Sequence, residues 1–300
     1  IAERDDVALI FPVHLNPKVR AIMQDALGDL DNVAMIEPLD YPNFVSLLNH
    51  CSFMMTDSGG VQEEAPALGK PVLVIKPLAN YRKDAEALYE AAAKTGVLAA
   101  LGYDRCFAPS VQALRERIGA LGKIIHAEGN FCVDRYRGYT AGDWKTNIES
   151  NPPGSLADHW LYTMIELVGP VKQLIARGMT QVVTEDFTDS STVMMQFESG
   201  ASGSLTAIGV TPIFHRMHVF GSEGWAEIRG NTRLEIHLRG KEPEILDLAP
   251  VDMLKSELEN FADAAVGKAA WPVSPDAAIA GVAALEAMRS SSISGKQVVL

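Results

Sequence analysis

Along the first hundred residues, short apolar runs alternate with segments whose apolar positions recur every three or four residues. "VALIFPV" (7–13), "NVAMIE" (32–37), "CSFMMTDS" (51–58), "PVLVI" (71–75) and "VLAALGY" (97–103) read as strands. "PKVRAIMQDALG" (17–28), "YPNFVSLLNH" (41–50), "GGVQEEAPALG" (59–69) and "NYRKDAEALYEAAAKTG" (80–96) read as helices between them. Pro17 and Gly28 bracket the first helix, while Asn80 and Gly96 are expected to cap the fourth. Continuous apolar strands are buried on both faces, and strands alternating with helices predict a doubly wound, parallel, Rossmann-like sheet.

After about residue 120 the period changes. "GKIIHAEGNFCVDR" (122–135) is long and strand-like. "STVMMQFESGASGSLTAIG" (191–209) puts Val193, Met195 and Phe197 on one face, turns, and returns as a hairpin. "HRMHVFGSEGWAEIRGNTRLEIHL" (215–238) adds short strands joined by glycine turns. The expectation is one mostly antiparallel sheet with one face under helices. One closing helix should carry the apolar stripe Leu254, Leu258, Phe261 and Ala265. The last should start with Ser274 as cap and Pro275 in its first turn. The domain boundary is expected near 104–120, giving a Rossmann-like domain over 1–104 and an α+β domain over 105–300.

Charge and composition narrow the partners. A net charge of −12 argues against nucleic acid and anionic membranes. No apolar run approaches the roughly 18 residues a bilayer span needs. Cys51, Cys106 and Cys132 have no metal-binding spacing, and they fit a reducing cytoplasm. The chain opens at Ile1 rather than Met, which predicts a piece of something longer.

Ser58 ends a strand, and Gly59-Gly60 let an anion approach the backbone ahead of a helix whose first N–H groups are free. Glu64 lies one turn into that helix, placed to accept hydrogen bonds from ribose hydroxyls. With "FPVHLNPKVR" and "TDSGGVQEEAPALGKPVL", residues 5 to 75 resemble the non-hydrolysing UDP-N-acetylglucosamine 2-epimerases. That resemblance implies that His14, Ser58, Gly59, Gly60 and Glu64 descend from a UDP site, with Phe44 near the uracil. Those epimerases carry much of their acid–base chemistry on a further domain outside this stretch. After "PVLV" they continue into a loop with threonine and arginine, where this chain reads "IKPLANYR".

From "VLVIKPLA" (72–79) onward the text is similar to a second family, the glucose–fructose oxidoreductase/inositol dehydrogenase (Gfo/Idh/MocA) proteins. The carriers are "KPLA", "GVLAALGYDRCFAPSVQALRERI", "TVMMQFESGASGSLTA", "VFGSEGWAEIRGNTRLEI" and the two last helices. That resemblance implies an NAD- or NADP-dependent oxidation of a sugar or cyclic polyol. Oxidising C–OH removes a hydride and a proton together, so a lysine and a histidine beside the nicotinamide suit the proton's departure. Lys76 matches the family's lysine, with Pro77 fixing its turn, although Ile75 stands where the family has Glu. The family's Asp-x-Gly-x-His is here "ADHW", so Asp158 and His159 are adjacent. Side chains adjacent on a helix point about 100° apart and are not expected to aim at one point. Tyr103, Arg105, Asp143 and Trp144 are weaker substrate-pocket candidates, and His215 and His218 read as structural.

Both families place "GK" and a "PVLV"-like strand at one shared element, so the chain reads as a chimera joined at 70–76. A natural fusion, an engineered recombinant and an assembly product would all read this way. No G-x-G-x-x-G occurs in the chain. In the order 3-2-1-4-5-6 the text starts at strand 2, so the first and third strands of this chain are expected to pair directly. Impaired cofactor binding follows as an expectation. The rival readings are a UDP-N-acetylglucosamine 2-epimerase fragment and a non-catalytic remnant. A homodimer or higher homo-oligomer is expected through an apolar open face of the second sheet.

Overall fold

Local pattern decides the first elements. In the computed structural model, which describes residues 6–57, 61–139, 146, 156–183 and 187–300, the chain forms two compact units, Ile1–Met54 and Met55–Leu300. Ser58, Gly59, Gly60, Asp143 and Trp144 lie outside the described residues. In the first unit β1 (Leu9–Pro12) and β2 (Val33–Ile36) pair in parallel, joined by α1 (Pro17–Leu27) and followed by α2 (Tyr41–His50). Asn16 and Asp40 cap the two helices by accepting the N–H groups of Lys18 and Asn43.

The strand β3 (Met54–Thr56) straddles the division. It is followed by α3 (Val61–Ala67), β4 (Val72–Ile75), α4 (Arg82–Thr95) and β5 (Ala99–Gly102). The sheet order is β3-β4-β5, with β4 and β5 parallel. Val72, Leu73, Val74 and all of β5 are buried, as uninterrupted apolar runs require. Within the first unit β1 pairs β2; β3 pairs β4. Helix α4 also departs from expectation. Its N-cap is Tyr81, without a side-chain hydrogen bond, rather than Asn80. The cap is tertiary instead. Glu286 of α8 (Pro275–Ser294) accepts the Arg82 N–H at 2.9 Å, and Arg289 donates to the Asn80 carbonyl at 3.0 Å. Arg289 also lies over the Tyr81 ring.

A 3-10 turn, Asp104–Phe107, leads through α5 (Pro109–Arg117) to the 11-residue strand β6 (Ile124–Asp134). Then come α6 (Asp158–Val168), β7 (Val171–Met179), β8 (Ser190–Phe197), β9 (Ser202–Ile208) and β10 (Val210–Gly221). The chain continues through β11 (Gly224–Arg229), β12 (Arg233–Leu238) and β13 (Glu244–Asp247) to α7 (Met253–Ala265), α8 and β14 (Val298–Val299). The nine-stranded order is β13-β12-β11-β10-β6-β9-β8-β7-β14. Every neighbouring pair is antiparallel except β6 and β9, which run in parallel. The sheet is thus mostly antiparallel, as expected, with one parallel pair. The α6 crossover returns the chain so that β7 runs in the direction of β6. The β7–β8–β9 meander then reverses twice.

One face of this sheet packs under α6 and α8. Val193, Met195, Phe197, Leu205 and Ala207 are buried there with Met217, Val219, Trp160, Met164 and Met288. The other face is not the apolar surface expected. Strand alternation turns polar residues toward it: Arg216 meets Glu128 at 2.8 Å, and His218 meets Glu227 at 2.6 Å. The stripe expected on α7 also fails in part. Leu254 is 62% exposed, whereas Glu257 and Phe261 are buried. Phe261 packs edge-on to Trp271, which in turn meets Phe107 of the 3-10 turn. Leu254, two turns earlier in the helix, stays in solvent. Burial, with Asp104 nearby, pushes the Glu257 carboxyl up to about 7. Among the described residues no helix is long and apolar enough to cross a membrane, and no three His, Cys, Asp or Glu side chains gather as a metal site.

Candidate active site

The end of a buried strand and the start of a buried helix meet within the second unit. Lys76 directly follows β4, and its Nζ lies 3.0 and 3.1 Å from the two Asp158 carboxylate oxygens and 3.1 Å from His159 Nε2. Asp158 and His159 open α6. The two adjacent side chains do converge, contrary to the expectation from helix geometry alone. An ammonium has three donors and needs no common direction from its partners. The Asp158 side chain is 4% exposed and that of Lys76 26%. Burial raises the Asp158 carboxyl, while Lys76 pulls it down by charge and hydrogen bond.

His159 is held from the other side. Arg105 Nε approaches its Nδ1 at 3.4 Å, and the Phe131 ring stacks on it at 4.1 Å. Burial, followed by the charges of Lys76 and Arg105, pushes its basicity far below the ordinary imidazole range, so the ring is neutral. Tyr103 donates to the His159 backbone carbonyl and shares a 2.7 Å hydrogen bond with Thr163. The first turn of α6 is thereby anchored to the end of β5. Burial raises the Tyr103 phenol, which leaves it a neutral positioning group.

His215, read as structural, lies beside this arrangement. It stacks on the opposite face of Phe131 at 4.1 Å, and its Nε2 is buried without a partner among the described residues. Burial and Arg105 lower it to about 4. The sequence did carry the signal. Met217 and Val219 are apolar at the second and fourth positions after His215, which assigns all three to the covered face. His218, out of that phase, lies on the opposite face.

The UDP-site candidates are distributed differently. His14 and Phe44 belong to the first unit; His14 is exposed and its Nδ1 accepts the Asn16 N–H at 3.1 Å. Glu64 is on α3 in the second unit. At the β1–α1 turn Pro17 has no N–H and Asn16 already accepts that of Lys18, so the helix start has few amides to offer.

Two family models match. The UDP-N-acetylglucosamine 2-epimerase model matches residues 1–100, extending past Lys76, and the GFO/IDH/MocA C-terminal domain model matches residues 111–227. The UDP-N-acetylglucosamine 2-epimerase of Salmonella borreze is 49% identical over 74 residues, covering 25% of this chain and 20% of its own length. The chain thus spans about a fifth of the length of that curated relative. Solved structures match the fold over nearly the whole chain. An NAD-binding oxidoreductase from Klebsiella pneumoniae has a TM-score of 0.80 at 18% identity, covering 98% of this chain and 89% of that one. Levoglucosan dehydrogenase, in complex with NADH and L-sorbose, has a TM-score of 0.80 at 17% identity with the same coverage. The chain joins a segment similar to UDP-N-acetylglucosamine 2-epimerases to a segment similar to the Gfo/Idh/MocA C-terminal domain, in the fold of the oxidoreductases.

Proposed function

We propose that the second unit carries the proton-transfer site of an NAD- or NADP-dependent oxidoreductase acting on a sugar or polyol, with residues 105–300 as substrate domain. The observation that carries this is Lys76 Nζ within about 3 Å of both Asp158 oxygens and His159 Nε2. A substrate hydroxyl placed against this cluster gives its proton to His159, which is neutral at working pH. Its weak basicity makes it a relay rather than a store: Lys76 hands one of its protons to the Asp158 carboxylate and takes the one from His159, which returns to its neutral form. A bound nicotinamide would accept the hydride. Tyr103 and Thr163 keep the His159 backbone in place.

At millimolar NAD(P)+, polyol- or aldose-dependent cofactor reduction is expected, falling about 100-fold or more in Lys76→Ala. No reduction with any aldose or polyol sinks the reading. The cofactor itself is expected to bind weakly, because the chain has no glycine-rich dinucleotide loop. A calorimetric Kd near 1 µM, about −8 kcal/mol, overturns that part.

A second reading, retained UDP binding by the epimerase-like segment, is favoured by the 49% identity over 74 residues. UDP titration should then show binding that weakens about tenfold in His14→Ala, in line with the loss of one charge-assisted hydrogen bond. A titration without heat removes it. Homodimerisation through the polar face of the nine-stranded sheet is proposed as well. Light scattering should return twice the chain mass at low salt, and a monomer at high micromolar concentration refutes it. A cytoplasmic location goes with this reading.

A further inference from the structure

Arg105 is a buried cation that makes no ion pair among the described residues, although the charges of Asp104 and Asp158 act on it. It is 6% exposed. Its Nη1 donates to the Asn231 side-chain carbonyl at 3.0 Å, and its Nε lies 3.4 Å from His159 Nδ1. Its flat faces meet Phe131 and Trp160. All four partners are neutral. The nearby Asp158 has both oxygens held by Lys76, and Asp104 makes no ion pair with Arg105 among the described residues. Aromatic faces and the more distant carboxylates offset part of the cost of a buried cation, but burial outweighs them and the guanidinium has no direct ion pair among the described residues. Nη2 makes no hydrogen bond among the described residues. Arg135, whose charge also acts on His159, is exposed and likewise makes no ion pair among them. The cluster is thus positive in a chain of net charge −12, so it is a local arrangement and not the edge of a basic surface.

We propose that Arg105 receives an anionic group of the substrate, so that the sugar or polyol handled beside Lys76 and His159 carries a carboxylate or a phosphate. This rests on the function proposed above. A guanidinium presents its donors as a planar fork that fits two oxygens of either group. Arg105 meets His159 at Nδ1 and Lys76 meets it at Nε2. The anionic group and the reacting hydroxyl are therefore held at opposite edges of one imidazole ring, which selects the carbon that is oxidised.

Calorimetric titration of the full chain with glucuronate, its methyl ester, glucose and glucose 6-phosphate tests this without turnover. Glucuronate or glucose 6-phosphate is expected to bind at least tenfold more tightly than the ester and glucose, and which of the two does so identifies the group. Arg105→Met should abolish the preference, so that the acid binds no more tightly than its ester. Arg105→Lys, which keeps the charge and loses the fork, should retain part of it and guards against a folding defect in the methionine variant. Equal affinity for acid and ester in the unmodified chain overturns the inference and leaves the sugar site standing. An acid preference that survives Arg105→Met also overturns it. Absence of binding by all four sugars overturns the proposed function, and this inference with it.

Discussion

Replacing Lys76 with methionine is expected to destabilise the chain by about 3 kcal/mol at pH 8, the size of loss seen when one partner of a buried ion pair is removed. Asp158 is the reason. Its side chain is 4% exposed, and Lys76 supplies the only cation within ion-pair distance of it among the described residues. Without Lys76, burial alone acts on a carboxyl that is already raised. The folded variant then keeps a proton that the unfolded chain releases. Stability is full below the ordinary carboxylate range and is lost as pH rises toward the raised folded value. The deficit of Lys76→Met should therefore be larger at pH 8 than at pH 5. Asp158→Asn in the same background should return most of it. Urea denaturation at the two pH values checks both statements, and a Lys76→Met variant as stable as the parent at pH 8 would show that the pair is not buried in the sense described.

Trp160→Ala is expected to cost about 3–5 kcal/mol, the range for emptying a buried aromatic site. The side chain is fully buried between the sheet and α6, and its indole N–H donates to the Asn130 carbonyl at 2.9 Å. Removing it opens a cavity and leaves that bond unmade. It also takes away one of the two ring faces under Arg105. Trp160→Phe fills most of the volume and loses only the hydrogen bond, about 1 kcal/mol. Far-ultraviolet circular dichroism in guanidinium follows both variants. A loss below about 1 kcal/mol for alanine would mean that the helix does not rest on the sheet through this residue.

How much of this was legible depended on whether the cause was local. The alternation from Leu9 to Gly102 was readable because each buried strand carries its own apolar run. Ser274 and Pro275 start α8 as their types dictate, with Ser274 accepting the Ala277 N–H at 3.2 Å. Asn80 looked equally good as a cap, yet Glu286 does that work from 204 positions away. The parallel pairing of β6 with β9 depends on how many times the chain reverses after a crossover, which no single strand records. Leu254 fits a helical stripe, but the patch that α7 covers ends before it.

The site divides in the same way. Lys76, His159 and Asp158 were named from residue type and family resemblance. Their meeting at one ammonium was not expected, because helix geometry was weighed without the third group that joins them. His215 was legible by strand phase and was passed over. Arg105 was named, but a missing counter-ion is a property of three-dimensional surroundings and leaves no mark in the text of the chain.

The cap that Glu286 lends to α4 also sets an order of events during synthesis. Arg82 leaves the ribosome 204 residues before its partner. At about 5–20 residues per second that is an interval of roughly 10–40 s. Throughout it, the helix that follows Lys76 has neither the Glu286 carboxylate at its first N–H nor the Arg289 clamp on the Asn80 carbonyl. The lysine's strand is made early, but the segment behind it is fastened only by a helix made 204 residues later.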